Sequence, residues 1–195
     1  CNAPTRMLVS SKNYDKAVEV ASKVADSTVV ESPETEGVNI GPISNKTQFE
    51  KVQHLIQVGI DEGARLVAGG VGLPDGLTNG YFVKPTVFAD VTNDMTIARE
   101  EIFGPVICIL KYDTEEEAIE IANDTPYGLA GYIQSGDEEH AKSVATKIRA
   151  GQISINGGGR GPAAPFGGFK TSGNGREHGL AGLHECLETK AIIGQ

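Results

Sequence analysis

Apolar residues recur along this chain at two alternating periods, and the switching between them lays out its elements. Ala17, Val18, Ala21 and Val24 repeat at helical spacing and predict a helix over 13–25, with a short β-branched run at 28–30 behind it. Phe49, Val52, Leu55, Ile56 and Ile60 trace one face of a second helix, for which Thr47 and Glu50 form a capping box and Gly63 a stop. Apolar runs at 65–68, 82–88, 106–112, 129–134 and 152–156 read as strands, and helical stretches at 95–100, 114–123 and 137–149 fall among them. Thr114 with Glu117 caps the middle one, and Pro126 with Gly128 forbids its continuation. Pro4 suits a first helical turn, which predicts a helix starting just after Cys1 and Asn2. Strands alternating with helices predict an α/β fold, a largely parallel twisted sheet with helices on both faces. A last strand over 186–193 has no local partner and is expected to pair with another chain.

Three stretches escape both periods. Residues 32–45 are rich in Pro, Gly and Glu, and 69–80 form a glycine-rich loop. From 157 to 175 the chain carries eight glycines with Pro162 and Pro165, and a loop of this kind beside strand ends is where an α/β fold keeps its chemistry.

Composition narrows the function. The 195 residues, 39% hydrophobic, suffice for one core-bearing domain. Lys and Arg total 17 against 26 Asp and Glu, a net charge of -9, so the surface repels nucleic-acid phosphates and anionic lipid. No apolar run approaches the roughly 18 residues that a membrane span needs. Cys1, Cys108 and Cys186 are an odd set without paired spacing and read as reduced thiols, which points to the cytoplasm; Cys108 sits in the apolar run 106–110 and should pack as a small hydrophobe. The four histidines show no zinc-ligand spacing, so no metal site is expected. Gly173, Gly175 and Gly179 are spaced GxGxxxG, not GxGxxG, and read as turn and packing glycines.

Chemistry concentrates at the first residue. A thiol at a helix start would gain thiolate character from the helix dipole and the unpaired N–H groups there. Taken together, CNAPTR at 1–6, GPISNKTQFEKV at 41–52, EEIFGPV at 100–106, NDTPYGLAG at 123–131 and PFGGFKTSGNGREHG at 165–179 resemble the aldehyde dehydrogenase superfamily, over essentially the whole chain.

The resemblance implies an NAD- or NADP-dependent oxidation of an aldehyde to a carboxylic acid. Cys1 matches the nucleophile: its thiolate adds to the aldehyde carbon, hydride leaves to the nicotinamide, and water hydrolyses the resulting thioester. Glu101 matches a carboxylate that holds the nicotinamide ribose, Phe103 an aromatic beside the nicotinamide, and Gln48 with Lys51 a helix start that approaches the adenosine ribose. Phe166 matches an aromatic wall of the substrate tunnel and Glu177 a carboxylate that assists proton exit during hydrolysis. Arg160 stands where many relatives carry apolar residues, which implies a polar or acidic aldehyde. Family members place the cofactor domain, the oxyanion's asparagine donor and the glutamate base upstream of the nucleophile. The expected organisation is therefore a catalytic domain over 1–180 and an oligomerisation strand over 181–195, without the cofactor domain and inactive alone as a dehydrogenase. Homodimers or homotetramers are expected of the intact enzyme.

Two rival readings remain at this point. Cys1 suits an N-terminal-nucleophile amidohydrolase, with its own α-amine as base and antiparallel sheets. The chain also suits a non-catalytic fragment that self-associates through its terminal strand.

Overall fold

The computed structural model describes residues 2–194, which divide into two compact units: 3–118, and residue 2 with 119–194.

The first unit is built on a four-stranded sheet. Its strands are β1 (Arg6–Ser10), β2 (Arg65–Ala68), β3 (Thr86–Ala89) and β4 (Val106–Tyr112), in the order β1-β4-β3-β2. β4 pairs in parallel with both β1 and β3, and only β2 runs antiparallel, against β3. The two-residue alternation of β3 and β4 serves opposite faces. Val87, Ala89 and Ile109 join Val9 and the Tyr14, Val18 and Ala25 side of α1 (Tyr14–Ser27). Phe88, fully buried, points the other way toward α2 (Lys46–Asp61) and α3 (Thr96–Arg99). Gly59 of α2 admits that contact, because a Cβ there would stand 2.9 Å from Ile97 and 3.1 Å from the Phe88 ring. Helices thus cover both faces, as the patterning predicts. Cys108 shares the Phe88 face, and burial pushes its thiol pKa up to about 12.

Where the chain reads differently from its sequence, long-range pairing or a competing cap is the cause. Residues 6–10 form β1 where a helix start is predicted, because the ladder from Arg6–Cys108 to Ser10–Tyr112 takes up their backbone groups. The 28–30 run makes only an isolated bridge, Val30 to Ile40. Asn45, not Thr47, caps α2: its side chain accepts from the Gln48 N–H at 2.9 Å, and Thr47 lies inside the helix. The cap of α4 (Glu115–Asn123) does use Thr114, which accepts from the Glu117 N–H at 3.2 Å, while Glu117 reaches back to the Asp113 N–H.

A polar staple closes the α1 face. The Tyr14 hydroxyl donates to Asp90 at 3.0 Å, and Arg65 donates to the other Asp90 oxygen at 2.6 Å. The Arg65 guanidinium holds the Asp90 carboxyl below its ordinary value; partial burial opposes the shift and the Tyr14 hydroxyl adds to it. A depressed folded-state pKa stabilises above the unfolded value of about 3.9 and is lost as pH falls through the folded one. The urea midpoint should therefore drop on acidification below pH 4 less steeply in Asp90→Asn than in the parent. Since the pair is half-exposed, the difference should stay within about 1 kcal/mol.

The second unit carries the parallel pair β5 (Ala130–Ile133) and β6 (Gln152–Ile155), in register from Ala130–Gln152 to Ile133–Ile155. Between them lies α5 (Glu138–Ala145), capped by Asp137 accepting from the His140 N–H at 3.0 Å and ending short of the predicted 149. After the long loop comes α6 (Gly179–Glu185). The predicted strand over 186–193 is not formed. A strand exists only against a hydrogen-bonding edge, and this segment meets none within the described chain. Its Leu187, Ile192 and Ile193 are 59%, 91% and 93% exposed. The parallel pairing in both units also removes the antiparallel premise of the amidohydrolase reading.

Candidate active site

Four predicted cofactor residues meet in the first unit. Gln48 and Lys51 lie one turn apart at the start of α2, hence on one face. The Gln48 amide donates to the carbonyls of Ile102 at 2.9 Å and Phe103 at 3.0 Å, and the Lys51 ammonium donates to the Glu101 carbonyl at 2.6 Å. Ile102, 2% exposed, anchors the segment in the core, and Glu101 and Phe103 on either side of it are exposed. Phe103 adopts φ +55°, a left-handed conformation uncommon for a bulky residue. Gly104 then runs so close to α2 that a Cβ would meet Val52 at 2.8 Å. An exposed carboxylate beside an exposed ring fits a nucleoside: the carboxylate accepts from a ribose diol and the ring offers a stacking face.

The predicted substrate residues meet in the second unit. Phe166 and Glu177 exchange backbone hydrogen bonds of 2.8 and 2.7 Å, which closes the glycine-rich loop on itself. The Arg160 guanidinium lies 4.9 Å from the centre of the Phe166 ring. Phe166, Glu177, Arg176 and Glu185 line a cavity of about 340 Å³; Gln152, Ser154 and Arg160 line another of about 340 Å³. Arg176 turns inward to the carbonyls of Gly168 at 3.0 Å and Gly175 at 2.7 Å, and packs against the Phe169 ring.

Cys1 lies outside the described residues. Its neighbour Asn2 accepts through its carbonyl from the Tyr132 hydroxyl, a contact across 130 positions that no local pattern announces. Gln152 is likewise new: its side-chain oxygen is buried in the cavity wall without a hydrogen-bond partner. Among the described residues no helix is long and apolar enough to cross a membrane.

The chain is thus a mixed α/β protein, with an aromatic and carboxylate segment held against one helix of the first unit and a glycine-rich loop bordering a cavity in the second. The profile of the aldehyde dehydrogenase family matches residues 1–192, and the chain belongs to that family. A 3-succinoylsemialdehyde-pyridine dehydrogenase of a Pseudomonas species is 51% identical over 194 residues, 100% of this chain and 41% of that protein. Among solved structures, an aldehyde dehydrogenase from Bartonella henselae superposes with a TM-score of 0.95 at 53% identity, covering 98% of this chain and 40% of that one. A mutant of aldehyde dehydrogenase C from Pseudomonas syringae, complexed with NAD+ and octanal, gives a TM-score of 0.95 at 51% identity over the same shares. The chain thus spans about two-fifths of the length of these relatives.

Proposed function

We propose that this chain supplies the thiol, the nicotinamide-side contacts and the aldehyde wall of an NAD(P)-dependent aldehyde dehydrogenase. The observation that carries the reading is the meeting of Gln48 and Lys51 with Glu101 and Phe103, some fifty residues away, in a nucleoside-compatible arrangement. The NAD+ complexes among its relatives support it. When bound, NAD(P) supplies the hydride acceptor. The Cys1 thiolate attacks the aldehyde carbon, and the oxidised carbon is left as a thioester on that sulfur. Water then adds to the thioester and the C–S bond breaks; the product leaves as a carboxylate, one of the water's two protons goes to the sulfur, and Glu177 passes the other to solvent.

The region 1–180 is the catalytic part in this reading and 181–195 the subunit contact of a cytoplasmic dimer or tetramer, to which Leu183, Leu187, Ile192 and Ile193 bring exposed apolar surface. Arg160 favours an aldehyde bearing a polar or anionic group, since a guanidinium pairs with carboxylates in two parallel bonds. Octanal in the Pseudomonas syringae relative favours a second reading, an apolar aldehyde.

Aldehyde-dependent NADH or NADPH formation by the enzyme expressed from its own gene tests both. An ω-carboxy aldehyde should be preferred to octanal, and Arg160→Ala should raise its KM about ten-fold. Preference for octanal, with Arg160→Ala indifferent to the carboxylate, selects the second reading; no aldehyde-dependent reduction overturns both.

A further inference from the structure

Gln48 spends both its amide N–H groups, and Lys51 one of its three ammonium donors, on the chain itself. Both N–H groups of the Gln48 amide point at successive carbonyls, those of Ile102 and Phe103. Carbonyls only accept, so the flipped amide would set oxygen against oxygen, and the orientation is fixed by its partners. What Gln48 retains for a ligand is one acceptor oxygen. Lys51 adds a charge-assisted bond to the carbonyl just before, so three consecutive carbonyls, 101 to 103, are gripped by two side chains one helical turn apart.

The grip falls where the backbone needs it. Phe103 holds a left-handed φ of +55°, which residues with a Cβ adopt only when their surroundings fix it. Ile102 is buried while Glu101 and Phe103 on either side of it are exposed, so rotation of the peptides between them moves both exposed side chains.

We propose that Gln48 and Lys51 are positioning residues of the dinucleotide site: they clamp the 101–103 backbone and so hold the Glu101 carboxylate and the Phe103 ring in one presentation. The clamp rests on the reading of Glu101 and Phe103 as nucleotide contacts, and it assigns to the α2 pair a role exerted through those residues.

The test measures NAD+ KM and kcat, together with amide hydrogen exchange over 101–106, in the enzyme expressed from its own gene. Gln48→Glu keeps shape and an acceptor but replaces both donors by oxygen facing carbonyls. It should raise the NAD+ KM about ten-fold or more with a smaller change in kcat, and speed exchange in the segment. Lys51→Met should do the same, and Lys51→Arg, which still donates, should recover most of the loss. Being solvent-exposed, Lys51 gives a readout that survives if the Gln48 variant folds poorly. In a cycle with Glu101→Gln, the Lys51→Met effect should be strongly non-additive, because Lys51 acts through the residue already changed. Its penalty should also be insensitive to salt, unlike that of an ammonium paired directly with a phosphate. Additive effects, a salt-sensitive penalty, unchanged exchange, or full activity in Gln48→Glu would overturn the clamp. If Glu101→Gln leaves the NAD+ KM untouched, the nucleotide reading of the segment fails instead, and the exchange data still judge the clamp by itself.

Discussion

A methyl group at position 151 is expected to unseat the loop that carries Phe166 and Glu177. The Cβ of Gly151→Ala would lie 1.7 Å from the Gly167 carbonyl oxygen and 2.7 Å from its carbon, so the obstruction is backbone and not a side chain that can rotate away. Neighbouring contacts leave the loop little room to retreat. Gly151 donates to the Gly128 carbonyl at 3.0 Å, and the Phe169 N–H donates to that same carbonyl at 2.8 Å. The Ser172 hydroxyl accepts from the Gly128 N–H at 3.0 Å. Gly167 and Gly168 are crowded in turn, with added Cβ atoms 2.2 Å from the Gly175 carbonyl and 2.5 Å from that of Ser172. Four stretches of main chain therefore cross where no side chain fits. Overpacking costs typically about 1–3 kcal/mol where side chains yield, and more is expected where they do not. Urea unfolding should show a loss of about 3 kcal/mol. Aldehyde KM should rise in whatever fraction stays folded, and a variant as stable and active as the parent would show that the crossing is not needed.

Cys1→Ala should lower aldehyde oxidation by about a thousand-fold or more while leaving NAD+ affinity within about two-fold, the pattern of a lost nucleophile. The competing thiols can be told apart beforehand. Cys108 is 1% exposed and its thiol is pushed up to about 12, so at neutral pH it is both inaccessible and protonated. Iodoacetamide should label Cys1 and the exposed Cys186, and only labelling at Cys1 should track the loss of activity. Retained oxidation in Cys1→Ala would remove the thioester route altogether. The activation of that thiol needs a source other than a helix starting at Pro4, since residues 6–10 are a strand.

Most elements were legible because their signals are local: the apolar face of α2 and the β-branched runs of β3, β4 and β6 declare themselves within a dozen residues. The misreadings share a different origin. Arg6 to Ser10 becomes a strand only through β4, about a hundred residues on, and 186–193 reads as a strand whose partner edge the described chain does not hold. Both Asn45 and Thr47 suit a helix cap by residue type, and Asn45 takes it because its backbone is extended where Thr47 is already helical. At the site, the family segments point to Gln48, Lys51, Glu101 and Phe103, yet that the first two grip the backbone of the last two is a fact of geometry. Tyr132 and Gln152 carried no motif at all. The one is defined by a residue at the far end of the sequence, the other by an oxygen left without a partner.

The division near residue 118 sorts chemistry as well as mass. Gln48, Lys51, Glu101 and Phe103 fall on one side of it, and Arg160, Phe166 and Glu177 on the other. In the proposed enzyme, these nucleotide-facing residues and these aldehyde-facing ones therefore come from separate stretches of the gene. A crossover within the α4 codons would exchange the proposed aldehyde-facing residues between relatives and leave the proposed nucleotide-facing ones as they were.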